Sequence, residues 1–182
     1  ATAEYDEAAA PPRPERWQTL LREAVRDPAE LCRLLDLPAE WAERAVAAAA
    51  EFPLRVPRGF VARMRKGDPF DPLLRQVLPL ADELVPQEGF TADPVGDLSA
   101  ELAPGVLQKY RGRALLVLTG ACAVHCRYCF RRHFPYEDVP KGRLQWEAAL
   151  APIAADPSVE EVLLSGGDPL SLTDAALLPL FE

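Results

Sequence analysis

Three of the four cysteines in this 182-residue chain, Cys122, Cys126 and Cys129, fall in a C-x3-C-x2-C spacing. Thiols this close in sequence serve as disulfide partners, zinc ligands or iron–sulfur ligands. A disulfide network fits poorly, because three is an odd number and a reducing compartment keeps thiols free. Zinc would need a fourth ligand, which His125 or His133 could supply. Zinc motifs, however, usually draw two knuckles from separated segments, whereas here every thiol sits on one loop. An iron–sulfur cubane explains the count better: its ligands are thiolates, and three of them leave one iron open to chelate a small molecule. Cys32 lies on the leucine-rich stretch LCRLLDL and reads as a small buried hydrophobe.

The loop must be held by the elements around it. Residues 114–119 (ALLVLT) form a continuous apolar run directly before it, the pattern of a strand buried on both faces in a parallel sheet. Loops at the carboxyl ends of such strands are where α/β folds place their chemistry. A helix is expected around Trp146, Ala149, Leu150 and Ile153, with Pro152 kinking or shortening it. A second buried run, residues 159–164 (VEEVLL), ends at Ser165-Gly166-Gly167. Strand, crossover helix and strand make a βαβ unit with a right-handed parallel connection. Thr173 is placed to cap a last helix.

Upstream, residues 1–14 are small, charged and proline-rich and read as a flexible tail. Trp17, Leu20, Leu21, Ala24 and Val25 trace the stripe of an amphipathic helix. Asp27-Pro28-Ala29-Glu30 opens a second helix, with Asp27 as cap and Pro28 at its first position. A third follows Pro38, with Trp41, Ala45, Ala48 and Phe52 on one face. Proline and glycine break residues 52–80 into a strand-like piece and short helices, and residues 87–106 read as an irregular connection. The expected organisation is a tail (1–14), a mostly helical region (15–108) and an α/β region (109–182).

Composition narrows the function classes. Hydrophobic residues at 49% exclude wholesale disorder, and a net charge of −8 argues against a general nucleic-acid binder. No apolar run approaches the roughly 20 residues of a membrane span, and the chain starts with acidic rather than basic-then-apolar residues. A cytoplasmic protein is therefore expected. The charge is uneven: residues 111–143 carry net +5, so the remainder carries −13. A basic segment around a candidate ligand loop suits small anions such as carboxylate or phosphate. Within it, Arg127 and Arg132 read as solvated or cluster-shielding charges, and His125 and His133 as loop residues.

The cysteine loop, with Tyr128 before its last cysteine, resembles the radical S-adenosylmethionine (SAM) superfamily. The longer string TGACAVHCRYCFRRHFPY resembles the lysine 2,3-aminomutases within it, nearest to the type that makes (R)-β-lysine for elongation factor P. FPLRVPRGFVARMRKGDPFDPLLRQVLP, GFTADPVGD and PGVLQKYRGRALLVLTGAC are similar to that branch, and the resemblance covers roughly residues 15–182. It implies an α/β fold: an N-terminal helical region followed by the first β/α units of a partial TIM-type barrel. It implies that Cys122, Cys126 and Cys129 hold a [4Fe–4S] cluster whose open iron binds SAM, with Tyr128 beside the site.

Gly166, Gly167 and Asp168 match the motif that contacts the methionine part of SAM. Two glycines at a strand's end would let backbone approach a ligand without Cβ obstruction; a tight strand-to-helix turn would explain one glycine and the Asp-Pro, but the place beside the cysteine-loop strand in a βαβ unit favours the ligand. By the same resemblance Arg131 pairs with the α-carboxylate of substrate lysine, and Lys109 and Arg113 hold the phosphate of pyridoxal 5′-phosphate (PLP). Lys109 stands where the family commonly has arginine, keeping the charge but losing the bidentate fork.

The implied activity is that of an isomerase. A radical made from SAM takes hydrogen from Cβ of PLP-held lysine, and the amino group moves from C2 to C3. The family's PLP-anchoring lysine is matched by neither Lys66 nor Lys141, and with the acids that recognise the ε-ammonium group it is expected beyond residue 182. The chain is accordingly expected to be a fragment, inactive alone. Two other readings stay open: a PLP-independent radical SAM enzyme and a zinc-binding interaction module.

Overall fold

The computed structural model describes residues 17–139 and 143–181. The tail expected over residues 1–14 and Lys141 lie outside them. Helix α1 (Trp17–Arg22) is shorter than its apolar stripe predicts. Val25 leaves the helix to form an antiparallel bridge with Val56, their N–H groups donating to each other's carbonyls at 2.8 and 2.9 Å. Both valines are fully buried. A β-branched residue gains more from that bridge than from a frayed last helical turn. Val56 is the strand-like piece expected between Pro53 and Pro57.

Helix α2 (Pro28–Leu34) starts as its sequence dictates: the Asp27 carboxylate accepts from the N–H groups of Ala29 (3.0 Å) and Glu30 (3.3 Å), and Pro28 has no donor to lose. Helix α3 (Ala39–Glu51) buries Ala45 and Ala48. Short helices α4 (Arg58–Val61) and α5 (Leu74–Val77) complete a core of Leu31, Leu35, Val56, Leu74 and Val77. Val124 of the cysteine loop packs against that core.

Asp71 holds the start of α5. It is buried, and its carboxylate accepts from the N–H groups of Leu73 (2.9 Å), Leu74 (3.0 Å) and Arg65 (3.1 Å). Burial alone would raise its pKa; the three backbone donors and the Arg65 guanidinium more than offset this and hold it below the usual carboxylate range. Its stabilising effect is therefore complete above the unfolded value of about 3.9 and lost as pH falls through the lower folded value. Asp71→Asn is expected to cost about 1–3 kcal/mol at pH 7, and the gap from the unsubstituted chain should close towards pH 2 in urea titrations.

The sheet has the order β1 (Glu101–Ala103), β2 (Val106–Tyr110), β3 (Arg113–Thr119), β4 (Glu161–Gly166). The first two pairings are antiparallel and β3–β4 is parallel, with helix α6 (Arg143–Ala155) as the crossover. The βαβ unit thus forms as expected. The irregular connection expected over residues 87–106 instead contains β1 and the start of β2, and residue 108 falls within β2. Two hairpin turns explain this: Gly105 (φ 76°) and Gly112 (φ 79°) supply the left-handed conformation that tight reversals need.

Strand β3 is buried on both faces, by Trp146, Ala149 and Ile153 on one side and by Val139, Phe134 and Tyr136 on the other. The run at residues 159–164 departs from its expectation of burial. Strand β4 is an edge, with Val162 40% and Leu163 44% exposed. Pro152 lies inside α6, which continues three residues past it to Ala155, so the helix does not stop at the proline. Thr173 stands at the N-cap of α7 (Asp174–Leu177), but its side chain makes no capping bond. The molecule is a mixed α/β structure. No helix among the described residues is long and apolar enough to cross a membrane.

Candidate functional site

Strand β3 delivers the chain to Thr119 and Gly120, and the cysteine loop begins there. Thr119 Oγ1 accepts from the Ala121 N–H at 3.0 Å. A Cβ on Gly120 would lie 2.7 Å from Cγ of Tyr136, whose ring covers the start of the loop. The parallel neighbour β4 ends alongside and clamps it. The N–H of Gly167 donates to Thr119 O (2.6 Å), the N–H of Asp168 to Ala121 O (2.7 Å) and Ser171 Oγ to Ala121 O (3.2 Å).

The two glycines are needed for this approach. Gly166 has φ 122°, and a Cβ there would meet Thr119 O; a Cβ on Gly167 would meet the carbonyl of Ala121. The backbone closeness expected for a ligand is thus made to the cysteine loop itself. The Asp168 carboxylate accepts from the Leu170 N–H at 3.0 Å and caps the turn Pro169–Ser171.

All three loop thiols are free and partly exposed. Burial pushes the Cys122 thiol up to about 11, reinforced by Cys129, Asp168 and Cys126 and opposed by the Arg55 guanidinium. Burial and then Cys129 likewise raise Cys126. Binding a metal here must therefore displace protons. Among the described residues, no three His, Cys, Asp or Glu side chains converge on a point that one metal ion could occupy. Cubane ligands have no need to converge, since each thiolate binds a different iron. Three free, partly buried thiols on one loop fit an iron–sulfur cluster.

His125 serves as an anchor. Its Nδ1 lies 2.7 Å from Pro53 O, its backbone N–H donates to Arg55 O at 3.0 Å, and its ring packs on Phe52. Burial pushes its pKa down. Tyr128 is 67% exposed and its hydroxyl meets Gln76 Oε1 at 3.3 Å. Cys32 is buried in the helical core, as its leucine-rich setting implies.

The arginines of the loop point two ways. Arg127 and Arg132, expected to be solvated or to shield a cluster, both grip Glu83, at 2.6 and 2.8 Å. Glu83 also accepts from the Leu80 N–H at 2.9 Å. Arg131 turns to the sheet, only 8% exposed, with its Nε 2.7 Å from Asp97 Oδ2 and its Nη1 2.9 Å from Ser165 Oγ. Asp97, 3% exposed, takes Lys109 Nζ on its other oxygen at 2.5 Å. Burial would raise the Asp97 pKa, but Lys109 and Arg131 hold it low. Arg113 pairs with Glu161 across the parallel strands at 2.8 Å.

Lys109, Arg113 and Arg131 line one cavity of about 510 Å³, together with Asp97 and Phe130. The resemblance gives Lys109 and Arg113 to a phosphate and Arg131 to a carboxylate; the fold gathers all three around one cavity. Asp97 and Glu83 are the site residues that sequence reasoning missed. The signal for Asp97 was its position as the last residue of GFTADPVGD, beside no motif of its own; for Glu83 there was none.

No protein-family model matches the chain. Curated relatives do. An L-lysine 2,3-aminomutase from Escherichia coli is 50% identical over 167 residues, 91% of this chain and 48% of the relative. One from Haemophilus influenzae is 46% identical over 168 residues, 92% of this chain and 50% of the relative. A third, from Clostridium subterminale, is 30% identical over 165 residues, 89% of this chain and 39% of the relative. The chain spans about half the length of the first two. Over nine-tenths of its own length, the chain is therefore a homologue of proteins named L-lysine 2,3-aminomutase.

Proposed function

We propose that the chain acts in a radical SAM, PLP-dependent lysine 2,3-aminomutase, an isomerase that converts L-lysine to (R)-β-lysine for modification of elongation factor P in the cytoplasm. The observation that carries this reading is the loop of three free thiols clamped between the ends of β3 and β4. The identity of 46–50% to aminomutases over about nine-tenths of the chain supports it. The unit β3–α6–β4 would be a β/α repeat of a partial TIM-type barrel, and the helical core of α2–α5 would dock the loop through His125 and Val124.

Each group then has a part. Cys122, Cys126 and Cys129 would hold the [4Fe–4S] cluster, with Gly166, Gly167, Asp168 and Tyr128 at its SAM face. Lys109 and Arg113 would bind the phosphate of PLP, and Arg131 the α-carboxylate of lysine. When bound, the cluster and SAM supply the hydrogen-abstracting radical, and PLP carries the migrating amino group. The chain's own work is to orient these groups and exclude water. Of the five donors of Arg131, Nε and Nη1 are used within the protein, while among the described residues Nη2 has no partner and can meet a carboxylate.

Anaerobic reconstitution with iron and sulfide tests the proposal. A brown protein whose reduced electron paramagnetic resonance signal changes on adding SAM is the expected result. A colourless protein carrying one zinc per chain would favour the interaction module instead and contradict the proposal.

A further inference from the structure

Resting on the reading above, we infer that Asp97 couples the phosphate and carboxylate subsites: its two oxygens each hold one of their cations, so an anion at one subsite alters the other. Lys109 Nζ on Oδ1 (2.5 Å) and Arg131 Nε on Oδ2 (2.7 Å) make a triad of net charge +1. Asp97 and Arg131 are buried, so little water screens their contact, while Lys109 reaches in from the surface with its side chain 27% exposed. Arg113 adds no surplus, because Glu161 neutralises it. The cavity the triad lines therefore offers one uncompensated positive charge to two expected anions.

That shortage sets the sign of the coupling. Asp97 competes with ligand oxygens for the same donors. Lys109 spends a further donor on Val95 O at 2.6 Å, so its last one is what a phosphate can take without displacing a partner. An anion on the Nη2 side of Arg131 weakens that guanidinium's hold on Asp97. The carboxylate then pulls harder on Lys109, and the phosphate subsite loosens. Reciprocity requires the converse as well. A merely structural triad would pin the segment around Asp97 to the sheet and leave anion affinity unaffected.

Pyridoxine 5′-phosphate, which carries the phosphate but no aldehyde, is a suitable fluorescent probe for the full chain. Binding weakened by Lys109→Gln would place the phosphate where the underlying reading puts it. Arg131→Met should then loosen the probe about tenfold, although Arg131 is not its ligand, because Asp97 is left with Lys109 alone. Asp97→Asn in that background should restore affinity to near that of the unsubstituted chain. Asp97→Asn alone should tighten binding, which keeps the inference testable if Arg131→Met fails to fold. Unchanged affinity in Arg131→Met, no recovery in the double variant, or weaker binding in Asp97→Asn would overturn the coupling. Probe binding that ignores Lys109→Gln would overturn the phosphate assignment itself, and the coupling with it.

Discussion

Gly167→Ala is expected to unseat the cysteine loop. The added methyl would collide with the carbonyl of Ala121, and backbone cannot rotate away as a side chain can. The N–H groups of Gly167 and Asp168 hold Thr119 and Ala121 at 2.6 and 2.7 Å, so relief of the clash breaks both bonds. A cost of about 3 kcal/mol is expected from overpacking against a fixed neighbour, together with loss of most iron on reconstitution. Urea titration and iron analysis measure the two effects. Gly59→Ala is the control: nothing lies within 4 Å of its Cβ position and it sits in α4, so stability should hold or rise by a few tenths of a kcal/mol.

Glu83→Ala is expected to be comparably damaging, by a different route. Glu83 is the shared acid of Arg127 and Arg132, whose side chains are only 21% and 13% exposed. Removing it leaves two largely buried guanidiniums without a counter-charge and the Leu80 N–H without its acceptor. Breaking a buried pair from one side costs about 3–5 kcal/mol, and partial exposure places this case near the lower figure. Because both arginines belong to the cysteine loop, iron loading should fall along with the urea midpoint. Glu83→Gln should recover part of the stability, since its amide oxygen can still accept one bond.

The contrast between these two positions shows how much of the site the sequence carried. The glycine pair was legible as a close-approach motif because a tight turn accounts for one glycine at a strand end and leaves the second unexplained. Which surface approaches could not be read, because it depends on the parallel register that sets β4 beside Thr119 and Ala121. Strand β3 was legible from its unbroken apolar run. Strands β1 and β2 were not, because Gln108 and Lys109 interrupt the pattern and the deciding signals were two glycine turns. Val25 continues a helical stripe in sequence, yet it pairs with a residue 31 positions away, a contact no local window contains. Asp97 and Glu83 were invisible for the same reason. An acid becomes a site residue here only when the fold brings cations from distant segments to it.

The central claim is that three thiols of one loop carry an iron–sulfur cluster, and metal analysis of single cysteine variants tests it most directly. Anaerobically reconstituted chain should contain about four irons and four sulfides, in keeping with a cubane. Cys122→Ala, Cys126→Ala and Cys129→Ala should each lose the colour and most of the iron, while Cys32→Ala, altered only in the helical core, keeps both. Equal loss of iron in Cys32→Ala, or full iron in any one of the three loop variants, would contradict the account.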